Sequence, residues 1–156
     1  MAPGLPKLCM ALALAGGLAT AAAAAAATSA QTAHLRHENF EQLGDAFKRV
    51  NDELGRGSPS KAKLATDAAR IQKLSAQAPS WFPKGSGKEA RPKSLALPAV
   101  WANPTDFANK MKAFQAEAAK FPRTVTAGDM EAIKAGAKSL GGACKACHAD
   151  YREKKS

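Results

Sequence analysis

Apolar side chains recur at spacings of three and four in four separate stretches of the chain, the seam pattern of helices packed against one another. The first stretch carries Phe40, Leu43, Phe47, Val50 and Leu54 and breaks at Gly55 and Gly57. The second opens at Ser58 and Pro59, a cap residue followed by a proline suited to a first helical position, runs Leu64, Ala68, Ile71 and Leu74, and stops at Pro79. The third starts at Asn103, Pro104 and Asp106, runs Phe107, Met111, Phe114, Ala118 and Phe121, and is expected to end at Pro122. The fourth is the longest: Met130, Ile133, Ala137, Leu140, Cys144, Cys147 and Tyr151, with Thr126 and Asp129 as a capping pair. No stretch alternates β-branched residues with a period of two, so no sheet is expected.

Short connections on either side make neighbouring helices antiparallel, and the pattern predicts an all-α protein, an antiparallel four-helix bundle. One connection is long. Residues 80–102 between the second and third helices are rich in Pro, Gly and Lys, with Trp81, Phe82, Leu95, Leu97 and Trp101 dispersed among them. A loop of that length needs a reason. Its aromatics predict an ordered crossover packed on the bundle.

Composition changes the picture at the N-terminus. Much of the 46% hydrophobic content lies in residues 1–30, where Lys7 is the sole charge. Lys7, the Ala-rich run from Leu8 to Ala27 and the small residues Thr28, Ser29 and Ala30 have the layout of a secretory signal peptide, with cleavage after Ala27 or Ala30. Cys9 leaves with that leader. The competing reading is an uncleaved anchor helix, which weakly hydrophobic alanine disfavours. Residues 31–156 then form one domain, expected in a periplasm. The formal charge of +10 falls to +9 without the leader and points to an anionic, acidic partner protein. Export removes nucleic acid from consideration despite that charge.

One motif carries specific chemistry. Cys144-Lys-Ala-Cys147-His148 is C-x-x-C-H, the attachment sequence for c-type haem. On a helix, positions i, i+3 and i+4 share a face, so two thiols can bond the vinyl groups of a single haem c while His148 reaches iron from the same side. Three alternatives compete. A thioredoxin-like dithiol belongs at the start of a helix in a βαβ unit, not at the far end of a helical chain. Zinc would need His34 or His37 as a fourth ligand. A disulfide across three helical residues is strained and leaves His148 unexplained.

Eight residues follow His148 and none is Met, so any sixth ligand comes from upstream. In an antiparallel bundle the end of the fourth helix is level with the start of the first, which places Phe40 opposite His148. A benzyl group cannot coordinate iron. Met111, near the start of the third helix, and His37, on the edge of the Phe40 face, are the competing ligands, while His34 points to the other side. Met130 is about 27 Å away along the helix axis.

The motifs together resemble cytochrome c′, the class II c-type cytochrome family. Gly141-Gly-Ala-Cys-Lys-Ala-Cys-His-Ala-Asp-Tyr-Arg152 is the most specific part; Arg36-His-Glu-Asn-Phe40-Glu-Gln-Leu-Gly44 and the spacing of Trp101, Phe107 and Phe114 add to it. The resemblance implies that Phe40 stands where six-coordinate relatives carry a ligating Met, and so implies five-coordinate, high-spin iron held by His148. It implies that Arg36 lies near a haem propionate and Arg152 beside the proximal histidine. Gly141 admits either the haem or a neighbouring helix closely, or merely loosens its own helix.

The expected function is that of a periplasmic electron carrier or binder of NO or CO, not an enzyme. A six-coordinate carrier ligated by Met111 or His37 is the alternative, and a thiol-disulfide or haem-dependent enzyme the rival of another class. The family commonly forms homodimers through its first two helices; no second apolar stripe in this chain decides between monomer and dimer.

Overall fold

A computed structural model describes residues 17–154, with side chains from residue 28 onward. Helix α1 spans Gly17–Leu54, α2 Lys61–Gln77, α3 Ala99–Ala102, α4 Pro104–Ala127 and α5 Met130–Tyr151, with a 3-10 turn at Ala78–Trp81. The bundle is built from α1, α2, α4 and α5; α3 belongs to the crossover. Helix α1 runs back through Gly17–Ala30, because a near-continuous alanine run favours helix. The rest of the predicted leader, including Cys9, lies outside the described residues. No helix among the described residues is long and apolar enough to cross a membrane.

Three predicted boundaries move. The cap of α2 is Ser60, whose Oγ accepts the Lys63 N–H at 3.4 Å, two residues beyond Ser58. The Ser60 N–H itself donates to Glu53 Oε1 at 2.8 Å, which fastens the α1–α2 turn. Helix α4 does not end at Pro122 but passes through it to Ala127. A proline removes one N–H and crowds one carbonyl, a local defect that the packing of Phe121 and Val125 on either side overrides. The actual stop is Gly128, left-handed at φ 78°, whose N–H bonds the Val125 carbonyl at 3.1 Å. Thr126 is consequently inside α4, and Asp129 alone caps α5, accepting the Glu131 N–H at 3.0 Å.

The seam residues meet in one core. Val50, Leu64, Ile71, Phe121, Ile133 and Leu140 are fully buried. Burial of each aliphatic or aromatic side chain of that size stabilises the fold by about 1.5–3 kcal/mol. Helix α1 packs on α2, α2 on α4 and α4 on α5, whereas α1 and α5 touch sparingly. That gap positions the site described next.

The crossover is ordered and closes one end of the gap. Trp81 is buried in the core, and the Trp101 indole N–H donates to the carbonyls of Phe82 and Pro83 at 3.2 and 3.1 Å. Further along, Leu97 N–H bonds the Tyr151 carbonyl at 3.0 Å and Glu153 N–H the Leu95 carbonyl at 2.8 Å. This isolated antiparallel bridge of Ala96 with Arg152 pins the crossover to the end of α5.

Candidate functional site

Where α1 and α5 diverge, a cavity of about 370 Å³ opens, lined also by α4 and the crossover. Cys144, Cys147 and His148 all line it from α5, and Phe40 lines it from α1. Helical periodicity is the cause on both sides: residues three and four apart share a face, and on α5 Cys144 and Cys147 continue the seam of Ile133, Ala137 and Leu140 beyond the core to the end where the bundle opens. Gly141 allows the approach. A Cβ there would lie 3.1 Å from Phe47 Cζ, so the glycine lets α1 come close to α5 just before the cysteines. Gly142 faces open space and has no such role.

The apolar walls form a connected aromatic path. Phe40 meets Trp81 edge-on with ring centroids 5.1 Å apart and Phe82 at 6.0 Å. Phe82 continues to Phe107 at 4.8 Å, and Phe107 to Tyr151 at 5.1 Å. Tyr151 is anchored by its hydroxyl, which donates to Asp106 Oδ2 at 2.6 Å, and Lys110 bridges Asp106 and Asp150 outside it. Hydrogen bonding to the carboxylate and burial push the Tyr151 phenol up to about 12. The same bond, assisted by Lys110, holds Asp106 below the ordinary aspartate range.

The remaining wall is cationic. Arg36 is only 4% exposed and donates four hydrogen bonds to neutral acceptors. These are the Trp81 carbonyl at 3.0 Å, Ser86 Oγ at 2.9 Å, the Ser86 carbonyl at 2.6 Å and Ser94 Oγ at 3.0 Å. The guanidinium also stacks over Phe82, 4.9 Å from its centroid. Burial, and then the like charge of Arg91, lower its pKa to about 10. Arg152, half-buried, lines the cavity beside His148 and caps α5 through its N–H on the His148 carbonyl. Desolvation and the Arg152 charge both depress the His148 pKa, favouring a neutral, ligating imidazole.

All six residues expected at the site, Arg36, Phe40, Cys144, Cys147, His148 and Arg152, therefore line one cavity. So do His37 and Met111, the latter also part of the core. His34 is exposed, paired with Glu38 at 3.1 Å and outside the lining. Sequence reasoning missed Ser86, Ser94 and Arg91. They sit in a crossover without periodicity, and nothing local marks a serine as the acceptor for an arginine fifty or more residues earlier.

Cys144 and Cys147 are not joined in a disulfide. Burial pushes Cys144 up to about 11 and raises Cys147 as well, and the C-terminal end of a helix gives a thiolate no dipolar help. An activated redox dithiol needs the reverse shift. Among the described residues no group of three or more His, Cys, Asp or Glu is placed to hold a metal ion directly. The donor set instead fits a porphyrin: an apolar interior for the macrocycle, two thiols and an imidazole on one helix, and cations where carboxylates would lie.

This constellation in an antiparallel four-helix bundle defines a class II c-type cytochrome. Residues 31–152 match the family described as Cytochrome C', and the chain belongs to it. Proteins of this family bind one covalently attached haem c. Cytochrome c' of Alcaligenes xylosoxydans xylosoxydans is 34% identical over 116 residues, covering 70% of this chain and 89% of that protein. Cytochrome c-554 of Cereibacter sphaeroides is 39% identical over 101 residues, 62% of this chain and 74% of the relative. Among solved structures, cytochrome c prime from Shewanella frigidimarina superposes with a TM-score of 0.74 at 28% identity, covering 81% of this chain and 97% of the other. A nitric oxide complex of a variant of cytochrome c prime from Alcaligenes xylosoxidans gives 0.73 at 26%, with the same coverage.

Proposed function

We propose that this chain is an exported, periplasmic haem c protein whose iron is held by His148 alone, and that it binds NO or CO and carries single electrons. Cys144 and Cys147 supply the two thioether attachments. The observation that carries this reading is the placement of Phe40 across the same cavity from His148, with its ring fixed by Trp81. When bound, the haem would supply a one-electron couple and an iron able to take a diatomic gas. The chain's part is to hold it: Phe40 keeps one axial side apolar and free of hydrogen-bond donors, which disfavours bound O₂ more than NO or CO. The NO complex of the Alcaligenes relative supports the gas-binding half.

The signal-peptide layout of residues 1–30 supports export, and a covalent tether suits a compartment where free haem would be lost. The net positive charge supports an acidic redox partner. His37, Glu41 and Asp45 also line the cavity, and no catalytic role is assigned to them.

Absorption spectra of the purified protein, oxidised, reduced and with CO, test the reading, together with a pyridine haemochrome assay and intact mass. A high-spin spectrum that changes with CO is the expected result. A low-spin resting spectrum unmoved by CO or NO would replace it with a carrier ligated by Met111 or His37, both of which line the cavity. Absence of covalent haem overturns it entirely.

A further inference from the structure

Arg36 is not the only arginine facing the cavity. Arg91, in the crossover, lines it too. The two are tied together through the backbone: Ser94 accepts from Arg36 Nη2 through its hydroxyl and donates its own N–H to the Arg91 carbonyl at 2.8 Å. The crossover is therefore folded around the Arg36 guanidinium in a way that brings a second guanidinium to the same wall. Arg91 uses one nitrogen on the Lys93 carbonyl at 3.3 Å, which leaves most of its planar fork uncommitted among the described residues. No carboxylate of the described residues is ion-paired with either arginine. Glu41 and Asp45 line the same cavity, and Glu89 nearby turns its Oε1 to the Gly87 N–H at 2.9 Å.

Two like charges sharing a low-dielectric wall repel unless an anion joins them. The Coulombic effect of Arg91 on Arg36 registers this repulsion. A guanidinium fork with its donors uncommitted, as in Arg91, is matched to a carboxylate. We infer that Arg91 is a carboxylate anchor, which grips the carboxylate edge of the haem with its free fork while Arg36, its Nη donors committed to the crossover, adds charge at the same wall, and so couples cofactor seating to the position of the crossover. The inference rests on the proposed haem binding and assigns Arg91 a positioning role, not an axial one.

The test compares wild-type, Arg91→Gln, Arg91→Lys and Lys93→Gln holoproteins by redox titration and by resonance Raman spectroscopy of the propionate bending mode. Loss of a cation beside the carboxylates favours the more positively charged ferric state. Arg91→Gln is therefore expected to lower the midpoint potential and to move the bending band to lower wavenumber. Arg91→Lys keeps the charge but not the fork, so its potential holds while the band moves. Lys93 is exposed and outside the cavity lining, and Lys93→Gln removes an equal charge from the same segment with neither effect. Unchanged potential and band in Arg91→Gln overturn the inference, as do equal shifts in Lys93→Gln. Failure of the haem reading is separately visible, as a wild-type protein negative in the pyridine haemochrome assay.

Discussion

The ring of Phe40 stands edge-on to the indole of Trp81, with centroids 5.1 Å apart and planes at 90°. Such a pair is worth about 0.5–1.5 kcal/mol beyond its burial, and Trp81 is itself fixed in the core. Phe40 is thus a held wall, not a loose flap. A gas entering opposite His148 has to displace it, so Phe40→Ala is expected to raise CO affinity by up to about tenfold, the equivalent of ~1.4 kcal/mol. Equilibrium CO titration of the reduced protein checks this. Unaltered affinity would place Phe40 away from the gas path.

Arg36 has a structural duty in addition to its charge. Its four bonds gather Trp81, Ser86 and Ser94, three points of the crossover, onto α1. Arg36→Met keeps the bulk and removes the donors, leaving the buried carbonyls of Trp81 and Ser86 unpaired. A loss of ~2–4 kcal/mol is expected from denaturant unfolding. Trypsin should then cut the native protein faster at Lys84, Lys88 and Lys93. Unchanged cleavage there would show that the crossover holds without Arg36.

The two neighbouring glycines of α5 separate by what faces them. Gly142 meets open space, so Gly142→Ala gains helix propensity and should stabilise by about 1 kcal/mol. Gly141→Ala gains the same propensity but drives its methyl to 3.1 Å from Phe47 Cζ, an overpacking contact. Thermal unfolding of the two holoproteins should therefore rank Gly142→Ala above Gly141→Ala. The opposite order would show that Phe47 yields freely.

The long-range frame of this protein was legible because it is written in periodicity. Leu64, Ile71, Ile133 and Leu140 repeat on helical faces and all reach the core, and C-x-x-C-H on such a face is specific enough to locate one side of the cavity. Phe40 followed from helix direction and length alone. Boundaries were less legible, since the stop at Gly128 and the passage through Pro122 depend on how Phe121 and Val125 are packed, which local propensity does not encode. The crossover was the least legible part. Its Ser86, Ser94 and Arg91 are recruited by a buried guanidinium from another helix, and only the assembled fold brings them to it.

Tyr151 and Asp106 make a pH prediction with two limbs. Asp106 titrates below the 3.8 of an ordinary aspartate, held there first by the Tyr151 hydroxyl. Its contribution is present above 3.8 and is lost as pH falls through the depressed folded value. The Tyr151 phenol is raised from 10.0 to about 12, so its contribution is present below 10.0 and is lost as pH rises through about 12. Tyr151→Phe removes this hydrogen bond while keeping the ring against Phe107. The stability difference between wild type and Tyr151→Phe should accordingly form a plateau between pH 3.8 and 10.0 and shrink at both ends. Denaturant titrations across that range measure it directly. Equal stability of the two proteins at every pH would show that ring packing, not the bond to Asp106, is what Tyr151 contributes at this corner of the cavity.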